Sequence, residues 1–560
     1  MFSTEGDIVQ VYVWSRATNL LKPVSERGID IGYTEITSPN GEVGPLIWKD
    51  EQRLITGFLP LGEAGTVLDR DRGVERFSSA QWTRAKRGYE TTSSSVQSPL
   101  RGVSRRESIA VVDISRGTVQ EIAVVPSVGR RWIRIAPDWR KGVVVTQTAS
   151  APMQAGLPLR PDYRTQIGVF SLSIPGIRWN ESQSITAVVR WEQGAPPVVS
   201  TRDKELYSFD LDSASLRPVS EDAVTTTLAA QMPVQSVSPL PRGEVLATSA
   251  TRVVIKIEDE KGIRLLTCAA PTPCDEVIRL NPRIANIQPA SMTLIDYTSS
   301  TGVPLKAVVI KPPGYQAGKA YPTIFWVYAG LVVKSVNDVQ ASLANTRWDN
   351  PQLLAARGYV VVFPSIPLQP YGAASDPYSD MSGGVMPAVE KVIATGIADP
   401  KRLGITGHSY GGYTTVALLS QTKVFRSAIA LAGIYDLTSF YGQFDPHDRY
   451  AAGISRLDFP GVIEISQFRM GAPPWDSSDR YLRNSPVTYL KNIGARLMLV
   501  AGELDPAMAQ SEEIFTGLQR LGKPVTLVRY FGESHTLNSP ANIRDLWRRI
   551  FEWFDESLST

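Results

Sequence analysis

The sequence predicts a chain in two parts, an N-terminal all-β domain over residues 1–284 followed by a mostly parallel, doubly wound α/β sheet over residues 285–560. Two observations predict this division. Short β-branched and aromatic runs fill the first half with no helical period between them, and after about residue 280 apolar strands alternate with amphipathic stretches. A third, a serine between two glycines at a strand-to-helix junction, gives the second part a chemical purpose.

The bulk properties fit a folded protein. At 560 residues, 43% hydrophobic and 20% charged, the chain has ordinary globular usage and enough length for more than one core. Its 58 Lys and Arg against 55 Asp and Glu leave a net charge of +3 with no long polybasic block, which argues against a nucleic-acid partner. No run of about 18 apolar residues occurs, so no membrane span is expected. Cys268 and Cys274, the two cysteines, sit close together in TCAAPTPCDEV. A disulfide across that short loop would indicate a periplasmic or secreted protein with a trimmed N-terminus; two free thiols would indicate the cytoplasm. No His lies near the pair to complete a zinc site.

In the first half the strands are IVQVYVWS (8–15), RLITGFL (53–59), GVVVTQT (142–148), GVFSLSI (168–174), AVVRWE (187–192) and VVIKIE (253–258). Their spacing suits a sandwich, barrel or propeller, and at roughly 40 to 45 residues per blade the length would make about six or seven blades. Residues 68–108, rich in Arg, Ser and Gly, read as a long surface insertion or mobile loop. In the second half the strands are VPLKAVVIK (303–311), TIFWVYA (323–329), YVVVFPS (359–365), RLGITG (402–407), AIALAG (428–433), RLMLVAG (496–502) and VTLVRYF (525–531). Near-continuous apolar runs of this kind belong in a sheet covered on both faces. IRDLWRRIFEWFDESL closes the chain as a helix with Leu546, Ile550, Phe551 and Phe554 on one face.

Gly407-His408-Ser409-Tyr410-Gly411 lies between the strand RLGIT and the helical run TTVALLSQ. Composition alone would produce a Gly-x-Ser-x-Gly string in about one chain of this length in four. In a strand–turn–helix setting it acquires a mechanical meaning, because the sharp turn thrusts the serine outward and the glycines relieve crowding. Ser409 is therefore the candidate nucleophile of an α/β hydrolase. A serine hydroxyl needs a base and the base needs an orienting acid. Of the three histidines, His408 diverges from the serine beside it and His447 precedes the last two strands, whereas His535 follows the final strand directly. His535 is the expected base, and Asp505, on the loop after RLMLVAG, the expected acid, with Glu503 as the alternative. The backbone N–H of Tyr410 is one oxyanion donor. The loop after TIFWVYA offers the Tyr328 hydroxyl as a second, unless Tyr328 only caps a strand end.

Taken together, the β-rich first half, VYAG, GHSYGGY, GELD and the late His resemble the prolyl oligopeptidase family of serine peptidases, as does RMGAPPWDSSDRYLRNSPVTYL (469–490). The resemblance implies a β-propeller covering an α/β-hydrolase domain, with Ser409, Asp505 and His535 as the triad and Tyr328 and Tyr410 at the oxyanion hole. It implies a peptidase that cleaves small peptides through an acyl-enzyme; an esterase, amidase or isopeptidase using the same triad is the alternative. It also places the pocket for the acyl-side residue after AIALAG, where Ile434, Leu437, Phe440 and the ring of Tyr410 would make it apolar, or else Leu437 and Phe440 pack the following helix. Pro506-Ala507-Met508 departs from the family, whose members often carry Arg or Asn there. Glu512-Glu513 sits on a hydrolase helix rather than in the β domain, which argues against a dipeptidyl peptidase. No metal or organic cofactor is implied.

Overall fold

The computed structural model describes residues 2–3, 8–15, 20–31, 33–61, 105–127, 130–150, 163–180, 185–201, 204–219, 241, 243–248, 252–259, 262–269, 274–343, 348–449 and 459–558, with five scattered residues between 79 and 87. The insertion read over 68–108 lies outside them except for those five and its last residues, which open a strand. Among the described residues the first half forms five small sheets of three, six, four, four and four strands. The four-stranded ones are antiparallel meanders, for example Glu244–Thr248, Val253–Asp259, Gly262–Cys268 and Asp275–Leu280. Sequential short meanders fit the all-β, propeller-type region that the sequence predicts. Cys268 and Cys274 are joined by a disulfide.

The second half builds one eight-stranded sheet. Its strands are β1 (Ser291–Thr298), β2 (Pro304–Lys311), β3 (Tyr321–Trp326), β4 (Val360–Pro364), β5 (Ala398–His408), β6 (Ser427–Leu431), β7 (Arg496–Gly502) and β8 (Val525–Tyr530). The spatial order is β1-β2-β4-β3-β5-β6-β7-β8, antiparallel at β1–β2 and β2–β4 and parallel from there on. All seven expected strands are present. The eighth, β1, carries too many polar residues to announce itself.

Helices cover both faces, as the continuous apolar strands require. Every residue of β4 and β6 is buried. On one side they meet α1 (Ser382–Ala394), α2 (Tyr410–Gln421) and α4 (Ala507–Arg520), through Val385, Val389, Val416, Leu419, Ile514 and Leu518. On the other they meet α5 (Pro540–Leu558), through Leu546, Ile550 and Phe554, each such side chain contributing about 1.5–3 kcal/mol. Among the described residues no helix is long and apolar enough to cross a membrane.

The chain passes from β5 into α2 with no spare residue, and glycines make that possible. A Cβ on Gly411 would sit 2.3 Å from the Val327 carbonyl oxygen, and one on Gly407 would sit 2.5 Å from the Gly411 and Val327 carbonyl oxygens. The close approach presses the end of β3 against the start of α2. Gly411→Ala should therefore destabilise the domain by about 1–3 kcal/mol, seen as a lower thermal midpoint; a midpoint equal to the parent's would contradict this packing.

Candidate active site

Ser409 occupies the junction between β5 and α2 with φ 60° and ψ −120°. A non-glycine residue at positive φ costs of order 1–3 kcal/mol and survives only when its surroundings over-determine it. Here they do. The Ser409 N–H donates to the Leu431 carbonyl at 2.8 Å, and the Ser409 carbonyl accepts from the Tyr413 N–H at 3.2 Å.

His535 Nε2 lies 2.9 Å from Ser409 Oγ, and His535 Nδ1 lies 3.2 and 3.3 Å from the two Asp505 oxygens. With the proton on Nδ1, His535 donates to Asp505 and accepts from the serine hydroxyl. Asp505 is buried and also accepts from the Ala507 N–H at 2.9 Å, which aims its carboxylate. The alternative acid, Glu503, points elsewhere: it accepts from the Gly532 N–H at 3.0 Å. His447 is buried and bonded to Asp445 at 2.5 Å.

Two residues that sequence reasoning did not single out shape the loop carrying His535. Glu533 is buried and accepts from the N–H groups of Asn538 and Ser539 and from Asn542 Nδ2, at 2.7–3.0 Å. It thereby ties the loop carrying His535 to the residues that lead into α5 and to the first turn of that helix. His408 donates through Nε2 to the His535 carbonyl at 2.7 Å and packs on Trp348 at 4.9 Å. Its side chain does diverge from Ser409 Oγ, yet it reaches the backbone of the base. Burial and the neighbouring His535 lower the His408 pKa to about 4, against the opposing pull of its bond to the His535 carbonyl.

Tyr328 follows the end of β3 and stands edge-on to the ring of Tyr410, the residue after Ser409, at 6.1 Å, and its hydroxyl accepts from Gln467 Nε2 at 3.3 Å. Burial raises the phenol's pKa, so it stays a donor at neutral pH. Tyr410 is the first residue of α2, where an N–H has no intrahelical acceptor and the helix dipole favours negative charge.

The segment after β6 behaves differently from the expectation of a pocket. Asp436 accepts from the Thr438 and Ser439 N–H groups and starts the helix α3 (Leu437–Tyr441), which lies between α2 and α4 in the chain. That helix turns Leu437 and Phe440 into the core, 0% and 3% exposed, with Phe440 against Phe459 at 4.4 Å. Both thus pack the helix, the second of the two readings given above. Ile434 is half-buried against the same core. The Tyr410 ring, the other side chain expected in that pocket, packs on Tyr328 and Phe468 at 6.1 and 5.0 Å.

The sequence profile of the prolyl oligopeptidase family matches residues 345–560. The chain is 29% identical over 278 residues to the uncharacterized peptidase YuxL of Bacillus subtilis, covering 47% of this chain and 39% of that protein. It is 27% identical over 297 residues to the probable chloroplastic glutamyl endopeptidase of Arabidopsis thaliana, covering 49% of this chain and 28% of that protein. The chain thus spans well under half the length of these relatives. Among solved structures, the Pyrococcus horikoshii acylaminoacyl peptidase superposes with a TM-score of 0.58 at 16% identity, over 100% of this chain and 86% of that one.

The His408 pKa makes a prediction about pH. Because the folded state lowers it below the unfolded value of about 6.5, the unfolded chain binds more protons between about 6.5 and about 4. The contribution of neutral His408 is complete above that window and is lost as pH falls through it. The excess thermal midpoint of the parent over His408→Gln should shrink as pH falls from 7.5 to 4.5. A constant difference would contradict the assignment.

Proposed function

For a chain whose residues 345–560 belong to the prolyl oligopeptidase family, we propose a serine hydrolase that cleaves peptide bonds of small peptides through an acyl-enzyme, with residues 1–284 as the covering β domain. One observation carries the reading: Ser409, held at positive φ on a strand–helix turn, has His535 Nε2 at 2.9 Å, and that imidazole has Asp505 behind it. In this reading Ser409 Oγ attacks the scissile carbonyl while His535 Nε2 takes its proton, and Asp505 stabilises the imidazolium. The carbonyl oxygen, now an oxyanion, receives the Tyr410 N–H and the Tyr328 O–H. Collapse breaks the C–N bond, and the departing amine leaves with the proton from His535. Water, activated by the same imidazole, then frees the acyl group from Ser409.

Ser409→Ala and His535→Ala should each remove nearly all turnover of a chromogenic peptide while leaving the thermal midpoint close to the parent's. Asp505→Asn should lower kcat by roughly 10³–10⁴-fold by favouring the wrong imidazole tautomer. A nearly silent Asp505→Asn beside an impaired Glu503→Gln would overturn the choice of acid. Tyr328→Phe should lower kcat by about 10–1000-fold with little change in KM; a loss of stability with unchanged kcat would leave Tyr328 a structural residue only.

A further inference from the structure

Two residues beyond Gln467, which bonds Tyr328, Arg469 is a buried cation without a counter-ion among the described residues. Arg469 is 5% exposed and sits on left-handed backbone at φ 57°. Its Nε donates to the Gln369 carbonyl and one Nη1 hydrogen to the Gln467 carbonyl, both at 2.6 Å, and its guanidinium lies 4.7 Å over the Tyr371 ring. Arg480 and Arg483, on the segment that follows, are both paired with Asp376. Arg469 forms no ion pair among the described residues, and three of its five N–H donors remain after its two backbone bonds. A charge held this way favours an anion wherever one can reach it.

A second polar group at the same place lacks a partner. The Tyr410 ring is held by Tyr328, Tyr413 and Phe468 at 6.1, 5.4 and 5.0 Å, and its buried hydroxyl has no hydrogen-bond partner among the described residues. Burial raises its pKa; of the nearby groups Arg469 acts on it most strongly, followed by Tyr328, Tyr371 and Asp380. The connection to the serine runs through side chains: Gln467, whose carbonyl holds Arg469, donates its side-chain amide to the Tyr328 hydroxyl, and Tyr328 packs on the ring of Tyr410, the residue after Ser409.

We propose that Arg469 and the Tyr410 hydroxyl form a subsite for a substrate carboxylate beside the scissile bond, so that the enzyme prefers an acidic substrate to its uncharged isostere. The proposal rests on the hydrolase reading above and specifies its substrate class. A guanidinium and a phenol O–H together match a carboxylate in charge and in donor number, which the apolar pocket expected from Ile434, Leu437 and Phe440 would not. The carboxylate can come from an Asp or Glu side chain on the acyl side of the cut, or from the free C-terminus of a short leaving segment.

Two substrate pairs separate these sources. One is a blocked peptide coumarylamide with Glu or Gln as the acyl-side residue; the other is a short blocked peptide ending in a free acid or a carboxamide. In the parent, the acid should exceed its amide in kcat/KM by about tenfold or more in one pair, and that pair names the source. Arg469→Gln should bring the ratio to about one. If Arg469→Gln does not fold, Tyr410→Phe, which deletes only the unpartnered oxygen, should lower the same ratio by about threefold or more. Parent ratios of one or below in both pairs, or a ratio unmoved in the variants, would overturn the subsite while leaving the hydrolase reading intact. Absence of both turnover and fluorophosphonate labelling of Ser409 would overturn the hydrolase reading, and the subsite with it.

Discussion

The turn at Ser409 is the constraint on which the rest of the domain depends. A serine at φ 60° is held against its own preference by two backbone hydrogen bonds, to Leu431 and from Tyr413. Those bonds need β6 on one side and the first turn of α2 on the other, and the fit tolerates no side chain at Gly407 or Gly411. The parallel sheet supplies the rigidity. Its central strands are buried on both faces, so the turn cannot relax without disturbing two packed layers.

Around that turn the polar groups are arranged by backbone contacts more than by one another. Asp505 is aimed by the Ala507 N–H, the loop carrying His535 is tied to α5 by Glu533, and the His535 carbonyl is held by His408. Tyr328 lies against Tyr410, the residue after Ser409, because the end of β3 runs against α2. Each of these groups is thus positioned by a neighbour outside the Ser409–His535–Asp505 set, which pre-organises the site.

Much of this was legible in the sequence, and the exceptions have physical causes. Apolar strands revealed β2 to β8 because both faces of the sheet are covered, whereas β1, an edge strand with Thr293 and Asp296 among its residues, lacks that signature. The order Ser409, Asp505, His535 could be read from chain position, and the proximity of Cys268 and Cys274 from spacing. The fate of Leu437 and Phe440 could not, because an apolar i, i+3 pair fits a pocket wall and a helix core equally well. The Asp436 cap starting a helix there was the available hint. Gln467 and Arg469 were invisible as site residues since they reach Tyr328 and Gln369, about 100 or more residues away, only through the fold.

The central claim is that the strained serine forms a covalent acyl-enzyme. Rapid mixing with an activated ester or peptide anilide, followed by acid quench, intact-mass measurement and peptide mapping, tests it directly. The account predicts a burst of leaving group approaching one equivalent and a matching acyl mass on the peptide containing Ser409. Turnover with no adduct on Ser409, or with the adduct on another residue, would contradict it.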